Sequence, residues 1–178
     1  MKTHPLKFIY LSLILLASLL SSKAFATDWI YLEASATRSN VEVIGTKFNP
    51  VLPRVKLGIN LYEGIQLEVQ YTGSGDDTVA GTKLEIEEIT ASYLRLETPI
   101  RSNMRMFVLL GSAEAKLNVQ GSGGATAGTG NYKDFSWGIG IEDRVWTKHT
   151  LLTLEYTEYY NHDEVVISGV SLGFKLEY

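Results

Sequence analysis

The side chains that could do chemistry in this chain are few. It holds three histidines and no cysteine, which excludes thiol catalysis, a disulfide framework and thiolate metal sites. His149 and His162 could each act as a base for a nearby nucleophile. Neither has a serine two positions on: Thr150-Leu151 follows the first and Asp163-Glu164 the second. Asp76-Asp77 and His162-Asp163-Glu164 offer hard ligands without the regular spacing of a cation loop. Solvated loop positions account for all of them. No catalytic residue, metal ligand or cofactor is therefore expected.

Charge is more abundant, and its placement is more telling. Glu33, Arg54, Lys56, Glu68, Arg95, Glu142, Glu155 and Lys175 each adjoin an aliphatic or aromatic residue. Arg54 and Lys56 alternate with Val55 and Leu57, Glu68 lies between Leu67 and Val69, and Arg95 lies between Leu94 and Leu96. A period of two puts such charges on one face of a strand and the aliphatic residues on the other. Were the charged face turned inward, acids and bases could pair there as one network. That network is the candidate site, and strands have to position it.

The first residues stand apart from this pattern. Lys2 and Lys7 flank a basic start, Phe8 to Leu20 is apolar, and Ala24-Phe25-Ala26 gives a small-x-small cleavage pattern. Residues 1–26 are expected to be a signal peptide cleaved after Ala26, leaving 27–178 as one domain. The apolar run is shorter than the roughly 20 residues of a spanning helix. Without Lys2, Lys7 and Lys23 the 16 basic residues fall to 13, against 20 acidic ones. No basic patch emerges, so nucleic acid is not an expected partner. Nothing after residue 26 is long and apolar enough to span as a helix. If the exported chain enters a membrane, it must do so as a closed barrel, because only helices and barrels satisfy their backbone groups in lipid.

Strand patterning runs through the whole exported part. Asp28 to Thr37 alternates Ile30, Leu32, Ala34 and Ala36 with Tyr31, Glu33, Ser35 and Thr37. Pro53 to Leu61 and Ile65 to Thr72 form a hairpin about Tyr62-Glu63-Gly64. A fourth strand covers Lys83 to Glu97; its phase breaks over Glu85 to Ile89, which predicts a bulge or a stretch beyond the bilayer. Next come Met104 to Gly111, Phe135 to Glu142, Leu152 to Thr157 and the closing run Val165 to Tyr178. Short connections are expected near 62–64, 98–103 and 145–149, and longer loops near 39–51, 73–82, 116–131 and 161–164. The Gly/Thr/Ala-rich stretch from Gly121 to Asn131 reads as a flexible connector.

Periodicity alone leaves open which face points inward. A soluble ligand-binding barrel would bury its aliphatic face. Three features favour the reverse. Gly58, Gly111, Gly138, Gly140 and Gly173 share the charged face, and glycine suits a crowded narrow interior. Aromatic residues, among them Trp29, Tyr62, Tyr71, Trp146, Tyr156, Tyr159, Tyr160 and Tyr178, gather near strand ends, where interfacial belts belong. Tyr31 and Tyr93 fall in the inward phase. The third feature is the export segment together with the aromatic residue that closes the last strand.

Ser171, Gly173, Leu176 and Tyr178 match polar-x-Gly-x-x-apolar-x-aromatic, and so resemble the assembly signal of Gram-negative outer-membrane barrels. The exported chain as a whole resembles the small eight-stranded barrels of the OmpA transmembrane-domain and opacity-protein type. That resemblance implies an all-β, eight-stranded, antiparallel up-and-down transmembrane barrel in the outer membrane. Its implied partners are outer-membrane lipids and lipopolysaccharide, the barrel-assembly machinery at the C-terminal strand, and a host or surface ligand at the loops. It also implies Glu68, Arg95 and Glu142 as a lumen-plugging cluster, with Thr153 standing where a second basic partner is expected. The leading functional expectation is a non-enzymatic barrel that displays loops for surface structure, adhesion or host interaction. A narrow pore, an outer-membrane lipid-modifying enzyme and a soluble periplasmic ligand-binding barrel are the alternatives.

Overall fold

A strand that alternates apolar and charged residues can satisfy both faces only if its neighbours hold the same phase. The computed structural model describes residues 29–43, 45–100, 103–120, 126–162 and 165–178. They form β1 (Ile30–Val43), β2 (Thr46–Phe48), β3 (Val51–Tyr62), β4 (Ile65–Thr72), β5 (Gly75–Val79), β6 (Thr82–Glu97), β7 (Met104–Gln120), β8 (Thr126–Arg144), β9 (Thr150–His162) and β10 (Val165–Glu177). All pairings are antiparallel, and β10 returns to pair with β1 from Tyr31↔Glu177 to Val43↔Val165. The sheet therefore closes on itself. β2 prolongs β3 past Asn49-Pro50, and β5 prolongs β4 past Gly73-Ser74. The strands thus make eight staves of an up-and-down β-barrel, as the alternation predicts. The export segment with Ala24 and Ala26 lies outside the described residues.

Three short turns close one end, here called the base. In the first, Gly64 adopts φ 74°. Its carbonyl accepts the Glu97 N–H at 2.8 Å, and a Cβ there would lie 2.8 Å from the Glu97 carbonyl oxygen. The second turn leaves Asn103 at φ 78° and the third Trp146 at φ 57°. Trp146 then lies flat on Phe174, with ring centroids 5.2 Å apart.

Near the base the polarity is that of a membrane barrel. Leu67, Leu154 and Phe174 point outward at 45%, 45% and 46% exposure, while Glu68, Arg95 and Glu142 are buried. Lipid requires this arrangement, since a mid-bilayer Arg or Lys on the outer face costs about 2–4 kcal/mol.

Towards the opposite end, the crown, the polarity reverses. Val41, Phe48, Leu52, Leu84, Ile86, Ile89, Leu117, Tyr159 and Ile167 pack inside, and Arg38, Asn40, Lys47, Glu87 and Lys133 face out. Such a crown is built for water, with an apolar interior like that of a soluble protein. In β6 a bulge between Ile86 and Glu88 shifts the register against β7. Above it Leu84 and Ile86 point inward, and below it Ile89, Tyr93 and Arg95 do. Of the two expectations for the broken phase at 83–97, the bulge is present, and it lies where the strand enters the crown.

The long loops expected at 39–51, 73–82 and 116–131 are instead largely strand. β1 runs to Val43 and pairs with β2, β5 pairs with β6 about Ala80-Gly81, and β7 pairs with β8 up to Gln120↔Thr126. β9 likewise continues to His162. Apolar residues of the crown supply a reason for chain rich in Gly, Thr and Asn to stay paired. Residues 121–125, Asp163 and Glu164 lie outside the described residues. Two aromatic assignments also change. Tyr159 is the extra residue of a bulge opposite Ile167 and Ser168, and it packs with Tyr160 on the crown's apolar cluster, so neither belongs to the outer belt.

The barrel wall is not continuous to the top. Pairing of β3 with β4 ends at Arg54↔Thr72, and pairing of β8 with β9 ends at Trp137↔Glu158. Above these points the wall parts into two opposed sheets, β5-β6-β7-β8 and β9-β10-β1-β2. The first seam is bridged by the Asn49 N–H, which donates to Asp77 Oδ2 at 2.7 Å. The second is bridged by the edge-on contact of Tyr132 with Tyr160 at 5.2 Å.

Candidate functional site

Barrel register brings the inward charges together across strands. Glu33 lies between Lys56 of β3 and Lys175 of β10, and Arg105 lies opposite Glu142. Glycine opposite a large side chain makes the room. A Cβ on Gly58 would collide with the Tyr31 ring, and one on Gly140 with the Phe107 ring.

Nearer the crown, Arg54 and Lys56 share Glu155. Arg54 Nη1 donates to Glu155 Oε1 at 2.8 Å and to the Tyr159 hydroxyl at 3.1 Å. Its Nε and Nη2 donate to Ser35 Oγ at 3.1 Å and Ser171 Oγ at 2.5 Å. Lys56 Nζ donates to Glu155 Oε2 at 2.5 Å and lies 3.0 Å from Glu33 Oε1.

Nearer the base, Arg95 is the hub. It reaches Glu142 Oε1 at 2.5 Å, Glu97 Oε1 at 2.7 Å and Glu68 Oε2 at 3.3 Å, and its guanidinium carbon lies 3.5 Å from the Phe107 ring centroid. Arg105 donates to Glu142 Oε2 at 2.6 Å, approaches Glu97 at 3.1 Å and donates to Glu177. Lys175 Nζ stands 3.4 Å from Glu97, 3.4 Å from Glu142 and 3.3 Å from Glu177, and 3.8 Å from the Tyr31 ring centroid. Gln70 joins the two groups. Its Nε2 donates to Glu68 Oε1 at 2.6 Å and its Oε1 accepts from Arg54 at 3.4 Å. The Tyr31 hydroxyl also donates to Glu68.

All eight charges singled out in the sequence are thus buried in one network. Arg95 bridges Glu68 and Glu142 as the family resemblance implies. Arg105 and Lys175 supply the further basic charge, and Thr153 contributes only a hydroxyl to Glu142 at 3.3 Å. Glu97, Arg105 and Glu177 are members that sequence reasoning left out. All three stood in the inward phase, Glu97 in step with Tyr93 and Arg95, but each lies at or near the end of its strand. Burying such ions costs several kcal/mol each, and only mutual pairing offsets it.

The other candidates stand elsewhere in the fold. His149 lies in the third base turn and His162 at the end of β9. Asp76 pairs with Lys83 at 3.4 Å, and Asp77 accepts the Thr78 N–H at 2.8 Å, so both serve the crown hairpin. Of the C-terminal motif, Ser171 and Gly173 face inward while Leu176 and Tyr178 face out. Tyr178 N–H donates to the Ile30 carbonyl at 2.9 Å, holding the barrel shut.

No family model matches the chain, and no curated protein matches it. Solved structures do. Neisserial surface protein A superposes with a TM-score of 0.71 at 14% identity, over 86% of this chain and 100% of that one. Ail, the attachment invasion locus protein of Yersinia pestis, solved with the heparin analogue sucrose octasulfate, gives 0.65 at 13% identity over 86% and 100%. The outer membrane protein OprG from Pseudomonas aeruginosa gives 0.59 at 10% identity over 86% and 96%. At such identities the likeness carries the fold alone. In fold, this chain is a small eight-stranded outer-membrane β-barrel.

Proposed function

We propose that the protein is a non-enzymatic barrel of the outer membrane that holds its lumen shut and presents its crown for surface structure, adhesion or host interaction. Residues 1–26 serve for export and are removed after Ala26, and 27–178 form the working domain. The C-terminal strand, through Ser171, Gly173, Leu176 and Tyr178, addresses the barrel-assembly machinery. Lipid and lipopolysaccharide surround the apolar wall.

The observation that carries this reading is the reversal of polarity along the axis. Ions fill the lumen where the wall faces lipid, and apolar side chains fill it where the wall faces water. An eight-stranded barrel is just wide enough for side chains to fill. The two fillings in series argue against an open aqueous path. The crown's outward charges are mixed, with Lys116 paired to Glu88 at 2.6 Å and Lys83 to Glu85 at 3.9 Å, so no basic patch for a polyanion such as the heparin analogue bound to Ail stands out.

Outer-membrane fractionation with a heat-modifiability gel tests the location. The unboiled protein should migrate differently from the boiled one, and recovery in the soluble fraction overturns the reading. Planar-bilayer recording tests the closed lumen. Stable conductance from pure protein would favour a narrow pore. An altered lipid A mass spectrum on deletion of the gene would favour an enzyme.

A further inference from the structure

A cleft of about 230 Å³ opens on the outer face of the wall, where the apolar surface gives way to the crown; Thr90, Ser92, Ser112, Glu114 and Lys133 supply the polar side chains that line it. Register assembles it. Ser92 lies opposite Ser112 and Thr90 opposite Glu114, and Glu114 in turn lies opposite Lys133. Ser92 and Ser112 point outward in step with Leu94 and Leu110, their neighbours towards the base. Large side chains flank the cleft, Tyr71 beside Thr90 and Phe135 beside Ser112, and the short ones between them leave the hollow. The lining is at odds with the surface around it. Val69, Leu94, Leu110 and Trp137 suit hydrocarbon, whereas three adjacent hydroxyls would find no hydrogen-bond partner there. Among the described residues no protein group bonds these hydroxyls. Lys133 Nζ stays 3.9 Å from Glu114 Oε2, too far for a hydrogen bond, while Lys116, two residues further along β7, is held by Glu88 at 2.6 Å. Lys133 thus keeps its donors for a ligand.

We propose that this cleft binds one sugar ring of a membrane glycolipid, a phosphorylated amino sugar whose acyl chains lie against Leu94, Leu110 and Trp137. Sugar hydroxyls both donate and accept, as those of serine and threonine do, so the two sets can satisfy each other. Glu114 only accepts, and it suits a hydroxyl or amide N–H of the ring. The Lys133 ammonium suits the phosphate as a point charge. Phe135 and Tyr71 are exposed and give the ring an apolar edge to lie on. Size agrees as well, since pockets for drug-sized ligands run to roughly 300–1,000 Å³, and a cleft below that range suits a single ring. An ethanolamine phospholipid head fits less well, because it brings no hydroxyl to the three that line the cleft. This deepens the proposed setting of the wall in lipid and lipopolysaccharide and rests on it.

The test refolds the full exported chain into phosphatidylcholine vesicles that carry equal amounts of a probe and a competitor. The probe is a diphosphorylated, acylated glucosamine disaccharide, and the competitor is phosphatidylethanolamine. Native mass spectrometry of the extracted barrel counts the lipid it retains. The parent should prefer the probe about tenfold or more. Ser92→Leu and Ser112→Leu fill the cleft with a side chain that the rest of the wall already carries. Each should keep heat modifiability and lower probe retention about fivefold or more, as the loss of one or two hydrogen bonds would. Ala34→Leu, an equal addition to the outer face of β1, should change neither. Lys133→Gln should weaken binding of the diphosphorylated probe about threefold or more and leave its dephosphorylated form unaffected. Equal retention of phosphatidylethanolamine, full retention of the probe by both serine variants, an equal fall in Ala34→Leu, or soluble glucosamine phosphate binding as tightly as the probe would each overturn the proposal. The vesicles present the probe in both leaflets, so the result does not depend on which way the crown faces. Heat modifiability reads the barrel assignment separately, and a failure of this cleft leaves that reading intact.

Discussion

Arg95 of β6 and Glu142 of β8 meet inside the barrel, with Nη2 2.5 Å from Oε1 and both side chains wholly buried. The same guanidinium holds Glu68 and Glu97, so one side chain restrains carboxylates from three strands. Arg95→Met should destabilise the barrel by about 3–5 kcal/mol, because it leaves buried carboxylates short of a partner. Adding Glu142→Gln to Arg95→Met should recover part of that loss. Urea unfolding of the refolded barrel, followed by tryptophan fluorescence, measures both steps.

The wall makes a prediction of its own. Leu154→Arg places a charge on the outward face near the base and should cost about 2–4 kcal/mol. Asn40→Arg, on the water-facing crown, should fall within about 0.5 kcal/mol of the parent. Equal costs for the two, measured in the same vesicles, would show that the assigned boundary between lipid and water is misplaced.

Two glycines with nearly the same φ should respond differently to alanine. Gly45 has φ 77° with nothing within 4 Å of a built Cβ, whereas at Gly64 that Cβ lies 2.8 Å from a backbone oxygen. Gly45→Ala should cost about 1 kcal/mol for the left-handed conformation alone. Gly64→Ala should exceed it, because the Glu97 carbonyl belongs to the neighbouring strand and has to shift. Unfolding midpoints of the two variants give the comparison.

Ile86→Asp puts a charge between the two crown sheets. Limited proteolysis should then cut the crown hairpins at protease levels that leave the parent whole. The lower barrel, held by its own ion network, should keep its heat modifiability. Loss of both together would mean that crown and barrel unfold as one unit.

The sequence shows the lower barrel clearly because lipid enforces one sign of alternation. Leu67-Glu68-Val69 and Leu94-Arg95-Leu96 each display it within three residues. The crown alternates too, but with the sign reversed and the contrast weaker, so Val41, Phe48 and Leu117 stand among Gly, Thr and Asn as if in loops. Bulges hide it further, since the extra residue in β6 moves Leu84 and Ile86 out of step with Tyr93 and Arg95. Within the ion network, membership is legible from phase, but partnership is not. Arg54 and Glu155 are 101 positions apart, and only the closing of the barrel brings them into contact. Glu97 shares the phase of Tyr93 and Arg95, but as the last residue of its strand it is not enclosed between two aliphatic neighbours, so the pattern that marks Glu68 and Arg95 does not mark it.

The seam beside β8 also bears on how this surface can diverge. Among the described residues the upper part of β8 pairs with β7 alone, and β7 in turn with β6, while closure of the barrel is secured at Trp137↔Glu158 and along β1 and β10. Residues added to or exchanged at the tip of that hairpin would leave the membrane-embedded wall unchanged, since loop tips distant from closure accept insertions most readily. Lineages of this protein could therefore vary the face they show to their surroundings while keeping one anchored scaffold.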